Sequence, residues 1–285
     1  RIGPRVTAAE WTRCRAGLNS APMRAVFLAL AALFCCATPA AADRFSLTYD
    51  GVGLGFVPLG GVTVDADVGE DSYEISATLQ SRGLLNLFER TNLEARASGF
   101  IRNGDVHWAR YDLDHHYSRK RRVVNMIVGD DGAVVATIEP NYRLWGEPPA
   151  SEEQRRRSRD PLSTIVAMAI DVGETRRCAG AYPTFDGRFH YLLELGGGDI
   201  DHFDDAGYEG DVLKCSLAYI AVAGFEARDA GRRRIPQGEV WFALMPDTTF
   251  APPVRISTPL SAGAATIRLA SFRRARVDVQ LTATP

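Results

Sequence analysis

Three groups of side chains in this sequence have types and spacing that bear on chemistry. The first is His107, His115 and His116 with Asp112 and Asp114. On an extended chain Asp112, Asp114 and His116 share one face, while His115 points with His107 to the other. Residues two apart on a strand stand about 7 Å apart, too far to share one first-row ion held at about 2 Å. The expectation is a solvated strand face and no metal. The second group is the acidic stretch Asp199, Asp201, Asp204, Asp205, Glu209 and Asp211. Calcium takes several oxygens from a flexible loop, but this order matches neither an EF-hand nor a glycine–aspartate repeat. The third is a set of arginine runs at 119–122, 155–159, 232–234 and 273–276. A guanidinium fork suits a phosphate on a lipid head group. The same charges also keep sheet edges from pairing with other chains, and a net acidic chain favours that reading.

Covalent catalysis leaves no local signature. The patterns G-x-S-x-G, H-E-x-x-H and S-x-x-K are absent, and no cysteine lies beside a histidine. The glycines at 51, 53, 55, 60 and 61 do not follow G-x-G-x-x-G and precede no helix, so they read as bulges and bends in strands. No cofactor follows from these motifs. An enzyme would need a site assembled from distant residues.

The elements that must position these residues begin after a leader. Met23-Arg24, the apolar run Ala25–Cys36, Pro39 and Ala40-Ala41-Ala42 form a secretory signal pattern over 23–42, with cleavage expected after Ala42. Residues 1–22 then read as upstream sequence from a misplaced start. The apolar run is too short to span a bilayer, and no later stretch is apolar enough. A lipid-anchored form at Cys35 or Cys36 fits less well, because Phe34 rather than a small residue precedes the pair. The leader holds five of the arginines and one glutamate, which leaves 28 basic against 34 acidic residues and a net charge of −6. That balance argues against a nucleic-acid partner. Only Cys178 and Cys215 remain after cleavage. One pair in an oxidising compartment reads as one disulfide.

Residues 43–285 are expected to form a single domain of two antiparallel meanders. Phe45–Tyr49, Val62–Val68 and Tyr73–Leu79 alternate with period two. Leu93–Ile101 and Val106–Tyr117 flank Asn103-Gly104, and Arg121–Val128 and Ala133–Glu139 flank Asp130-Asp131-Gly132, both hairpin signals. Gly83–Phe88 is an apolar segment without alternation, and Pro140–Arg159 is a break. The second half holds two strand-like runs around Asp186-Gly187, a loop over 196–211 and a strand over 212–223. A charged loop over 228–234 follows, then strands near 239–245, 253–257, 264–272 and 276–281. Between the halves lies one helix. Asp160 caps it, Pro161 opens it, and Leu162, Ile165, Val166 and Ala169 follow i, i+3, i+4, i+7 up to a stop at Gly173. Met168, Ile170 and Val172 make it apolar on the other side too, so it must be covered nearly all round. The fold class expected is all-β, mainly antiparallel. It is an open or strongly curved barrel-like sheet with one central plug helix over 160–172.

The Asp160-Pro-Leu-Ser stretch and the later Phe185-Asp-Gly-Arg-Phe carry a family resemblance. So do Tyr49-Asp-Gly-Val-Gly-Leu-Gly, Gly83-Leu84-Leu85, Trp241-Phe242 and Pro253-Val-Arg-Ile-Ser-Thr-Pro-Leu260. In this order they resemble a family of exported bacterial proteins catalogued as domain of unknown function 3108, over nearly the whole chain after the leader. The resemblance implies a cell-envelope protein whose sheet is similar to the open barrels of lipoprotein and lipid carriers. It implies no established reaction, cofactor or catalytic residue. The Cys178–Cys215 pair resembles the arrangement in the proteobacterial branch.

The leading expectation is therefore a non-enzymatic periplasmic protein that holds a hydrophobic small molecule, a lipid or an envelope protein in a concave sheet. Trp108, Tyr111, Leu162, Ile165, Val166, Ala169 and Trp241 are the candidate lining residues. An envelope hydrolase and a scaffold that binds another protein through a sheet edge are the alternatives. An open cavity, a polar cleft and an uncovered edge strand would distinguish the three.

Overall fold

Period-two sequence becomes one continuous antiparallel sheet. The structure, a computed structural model, describes residues 41–54, 57–83, 90–260 and 263–278. The leader over 23–40, most of the apolar segment Gly83–Phe88 and the end of the last expected strand lie outside the described residues. The first half supplies β1 (Ala41–Gly53), β2 (Val57–Val68), β3 (Ser72–Ser81), β4 (Thr91–Arg102), β5 (Asp105–Tyr117), β6 (Lys120–Val128) and β7 (Val134–Glu139). The second half supplies β8 (Gly180–Phe185), β9 (His190–Asp205), β10 (Tyr208–Ala223), β11 (Gly238–Ala243), β12 (Pro253–Pro259) and β13 (Ala264–Asp278). The order is β7-β6-β5-β4-β3-β2-β1-β13-β12-β11-β10-β9-β8, so the two meanders join through β1 and β13, and β7 and β8 are the edges. The expected separate strand at 276–281 is the continuation of β13 as far as Asp278.

Among the described residues three α-helices interrupt the sheet: α1 (Glu152–Arg156), α2 (Pro161–Thr175) and α3 (Ala230–Arg233), the last preceded by a 3-10 turn over Ala227–Asp229. The stretch expected as a plain break over 140–159 thus contains α1, opened by a capping box between Ser151 and Gln154. The charged loop over 228–234 contains α3. Helix α2 is the expected plug. Asp160 caps it by accepting from the Leu162 and Ser163 amides at 3.0 Å each. Val166, Ala169, Ile170 and Val172 are fully buried. The helix packs against β3, β4, β5 and β8.

The stop at Gly173 is corrected. The helix runs through Gly173 to Thr175, and Arg176 ends it in the left-handed conformation at φ +55°. The Arg176 guanidinium donates to the Met245 carbonyl at 2.7 Å, which holds that cap in place. Gly173 serves packing: a Cβ there would stand 1.8 Å from the Thr249 carbonyl oxygen.

The loop over 196–211 is also corrected. β9 and β10 run through it as a long ribbon closed at Ala206-Gly207. Positive φ at both residues, +55° and +84°, suits the twist of a tight hairpin. One glycine there, Gly198, clears space for the disulfide. A Cβ on Gly198 would lie 3.2 Å from the Cys178 sulfur. Cys178 and Cys215 are bonded, with Cα atoms 5.3 Å apart across 37 residues of chain. Closing a loop of that length stabilises the fold by about 4 kcal/mol on the chain-entropy model.

The two ends of the sheet meet without pairing. Arg159 bridges the free edge of β8 in parallel: its amide donates to the Pro183 carbonyl, and the Phe185 amide donates to the Arg159 carbonyl. The Arg159 Nε then donates to the Val106 carbonyl on β5 at 2.9 Å. A Cβ on Gly187, in the β8–β9 turn, would meet Val124, Ile138 and Met126. Those residues lie on the inner face of β6 and β7. The β8 edge therefore tucks inside the β5–β7 end, and the sheet rolls like a scroll instead of closing.

Candidate functional site

Cross-strand register sorts the inner face into rows. The row Phe45–Ala66–Ile75–Ala97–Tyr111–Met126 lies beside α2 and is buried throughout. In the next row, Leu47–Val64–Ala77–Ala95–Leu113–Val124, Val64, Ala77 and Leu113 are half-buried. One row further, in Val62–Leu79–Leu93–His115–Arg122, all five are half-buried. The helix thus fills one end of the concave face and leaves the other end aliphatic and partly open. An unfilled apolar surface of this kind is unfavourable in water, at about 25 cal/mol for each Å² that stays wet.

A cavity of about 410 Å³ lies at this open end, lined by Gly51, Gly60, Val62, Leu79, Ile256 and Ile267 with Thr and Ser hydroxyls at its border. Its volume falls in the range of about 300–1,000 Å³ typical of small-molecule sites. Gly51 and Gly60 face each other across β1 and β2 beside a bulge, and their missing side chains leave the space. Two larger depressions, about 500 and 740 Å³, are bordered by Glu70 with Asp71 and by Asp43, Asp247, Arg176 and Arg276; charged rims do not suit an apolar occupant.

The expected lining residues separate by position. Trp108, Tyr111, Leu162, Val166 and Ala169 are packed in the interior next to the helix. Ile165 is half-buried at its edge. Trp241 belongs to the row Lys214–Trp241–Arg255–Arg268–Asp50, on the opposite face from Cys215–Val240–Ile256–Ile267–Gly51. Lys214 and Arg255 lie over its ring at 4.3 and 4.7 Å. Val62, Leu79, Ile256 and Ile267 were not singled out in the sequence. Their half-burial comes from where the helix ends, which no local pattern records.

Several polar groups in the interior hold α2. The Tyr73 hydroxyl donates to the Ser163 Oγ at 2.6 Å, and Ser163 donates to the Asp160 carboxylate. Thr184 donates to the Tyr182 carbonyl, and its hydroxyl lies 3.0 Å from that of Thr164. Burial pushes the Asp160 carboxyl up to about 6, against the donors from Ser163 and Leu162 that pull it down. Ser163 is fully buried and already donates to Asp160, which fits a structural hydroxyl rather than a nucleophile.

The histidine–aspartate group does not assemble. Asp114 pairs with Arg121 at 2.6 Å and with His116 at 3.2 Å; Asp112 accepts from Arg110 and Asn125. A register shift between Ser98 and Gly99, opposite Trp108–Arg110, alters the alternation along β5. It puts His107 with exposed Phe100 on the outer face and His115 on the inner one, so the expectation that the two share a face is overturned. No group of three potential metal ligands occurs among the described residues. In the acidic ribbon Asp201 pairs with Lys214.

No family model matches the chain, and no curated protein matches it. Among solved structures the chain is similar to a crystal structure described as a beta-barrel-like protein of domain of unknown function DUF1849 from Brucella abortus. The identity is 10%, the TM-score is 0.48, and the match covers 83% of this chain and 99% of that one. No helix among the described residues is long and apolar enough to cross a membrane.

Proposed function

We propose that the protein is a non-enzymatic carrier that holds an apolar molecule, an acyl chain being the simplest, on the concave face of its sheet. The observation that supports this reading is the gradient of burial across the inner rows: packed beside α2, half-open and aliphatic at Val62, Leu79, Leu93, Ile256 and Ile267. A core built only for stability would be closed at both ends. In this reading α2 is the floor, with Leu162, Ile165, Val166 and Ala169 filling it and Trp108 and Tyr111 packed beside them. The ligand lies above, where the side chains give way to glycine. The disulfide and the signal pattern support an oxidising compartment outside the cytoplasm. The motif order resembling family 3108 supports a place in the cell envelope.

Native mass spectrometry of protein recovered from the periplasm tests the reading. A bound adduct with the mass of a lipid or fatty acid is expected, released by organic solvent. Protein that is absent from that fraction, or that carries no adduct there, would overturn it.

A further inference from the structure

Arg122 stands on the inner face, in the row Val62–Leu79–Leu93–His115–Arg122 that borders the open end of the concavity. Three strand spacings separate it from Leu79, about 14 Å along the sheet, within the reach of a long acyl chain. Val124 and Met126, two and four residues on, are buried on the same face. Arg122 makes no ion pair and no hydrogen bond among the described residues, and its Nε is buried without a partner. Its guanidinium lies over the Tyr142 ring, 3.9 Å from the centroid, a contact that fixes its position without neutralising its charge. Arg188, 5.0 Å from the same ring, is neutralised by Glu226 at 2.7 Å and Asp229 at 3.2 Å. In the same run Arg121 pairs with Asp114, and elsewhere Arg156 pairs with Glu152 and Arg274 with Asp43. A half-buried guanidinium without an anion is unfavourable, and a planar fork accepts a carboxylate or phosphate through two parallel hydrogen bonds.

We infer that Arg122 anchors the anionic head group of a single-chain amphiphile whose tail lies along Leu93, Leu79 and Val62. The inference rests on the carrier reading and adds the charge of the ligand to it. Tail burial supplies most of the affinity, and Arg122 sets which head group is accepted.

The test is displacement of a fluorescent fatty-acid probe by oleate, by oleyl alcohol and by inorganic phosphate. It uses the full chain, the Arg122→Gln variant and the Arg122→Lys variant. Oleate is expected to bind the wild type about tenfold more tightly than oleyl alcohol. Arg122→Gln should bring oleate down to the alcohol's affinity and leave the alcohol unchanged, and Arg122→Lys should keep part of the preference. Equal binding of acid and alcohol by the wild type would overturn the head-group assignment and leave the carrier reading standing, whether or not the variants fold. Displacement by inorganic phosphate alone would make Arg122 a free-anion site and also overturn it. A wild type that binds neither amphiphile would overturn both.

Discussion

The indole N–H of Trp108 on β5 donates to the carbonyl of Ser158 at 2.8 Å. Ser158 precedes the residue that borders β8, ten places from β5 in the sheet order. This bond therefore joins the two ends of the scroll. Both groups are buried, so neither has water as an alternative partner.

Trp108→Phe keeps an aromatic ring and removes the donor. The stranded Ser158 carbonyl should lower stability by about 1–3 kcal/mol, beyond the loss of ring contacts. Trp241→Phe is the comparison, because the Trp241 indole N–H has no partner among the described residues and its ring lies on the outer face. Urea unfolding of the two variants should show the larger loss for Trp108→Phe; equal losses would contradict the role of this bond in the seam.

Gly173→Ala sets helix propensity against packing. Alanine at a helix-interior position is favoured over glycine by about 1 kcal/mol. Here the added methyl meets backbone at Thr249, which cannot swing aside like a side chain, and the neighbouring Ala251 amide is tied to the Ala169 carbonyl at 2.9 Å. A net loss of about 1–3 kcal/mol is expected from overpacking. Thermal or urea unfolding checks the sign, and a stabilised variant would contradict the close approach of the 248–251 loop.

Asp160 gives a pH dependence of defined sign. Its folded pKa of about 6 lies above the ordinary value of 3.8. The folded protein therefore binds the proton more tightly than the unfolded chain. The resulting stability is fully present below about pH 4 and is lost as pH rises through about 6, by roughly 3 kcal/mol. Asp160→Asn keeps an oxygen to cap the helix and cannot ionise. The stability of the variant relative to wild type should rise between pH 4 and pH 7.5 in urea titrations. A difference that stays flat, or falls, would show that the carboxylate is not held up by burial.

Much of this architecture was legible locally. Asn103-Gly104 places the β4–β5 turn, with φ positive at both residues as that turn requires. Asp160-Pro161 places the start of α2 because capping chemistry lies within four residues. What escaped depends on partners far away in sequence. Gly173 signals a stop by its type, yet its reason is Thr249. Gly196–Gly198 are poor strand formers, yet they lie within β9: Gly196 pairs with Ser216, and the next two sit at a register shift where Gly198 leaves room for the Cys178 disulfide. The bulge at Trp108–Arg110 turns His107 outward, and no residue type announces it. Arg122 was visible only as one arginine in a run; its inward direction follows from the burial of Val124 and Met126, and its lack of an anionic partner among the described residues follows from the fold around it.

Binding of a fluorescent fatty acid by wild type, Ile267→Glu and Ile127→Glu tests the central proposal most directly. Ile267 lines the concave cavity, whereas Ile127 is an exposed isoleucine on the outer face. Wild type and Ile127→Glu should bind one probe per chain with the same affinity, and Ile267→Glu should lose binding while remaining folded by circular dichroism. No saturable binding by the wild type, or equal loss in the two variants, would contradict a carrier that uses the inner face of its sheet.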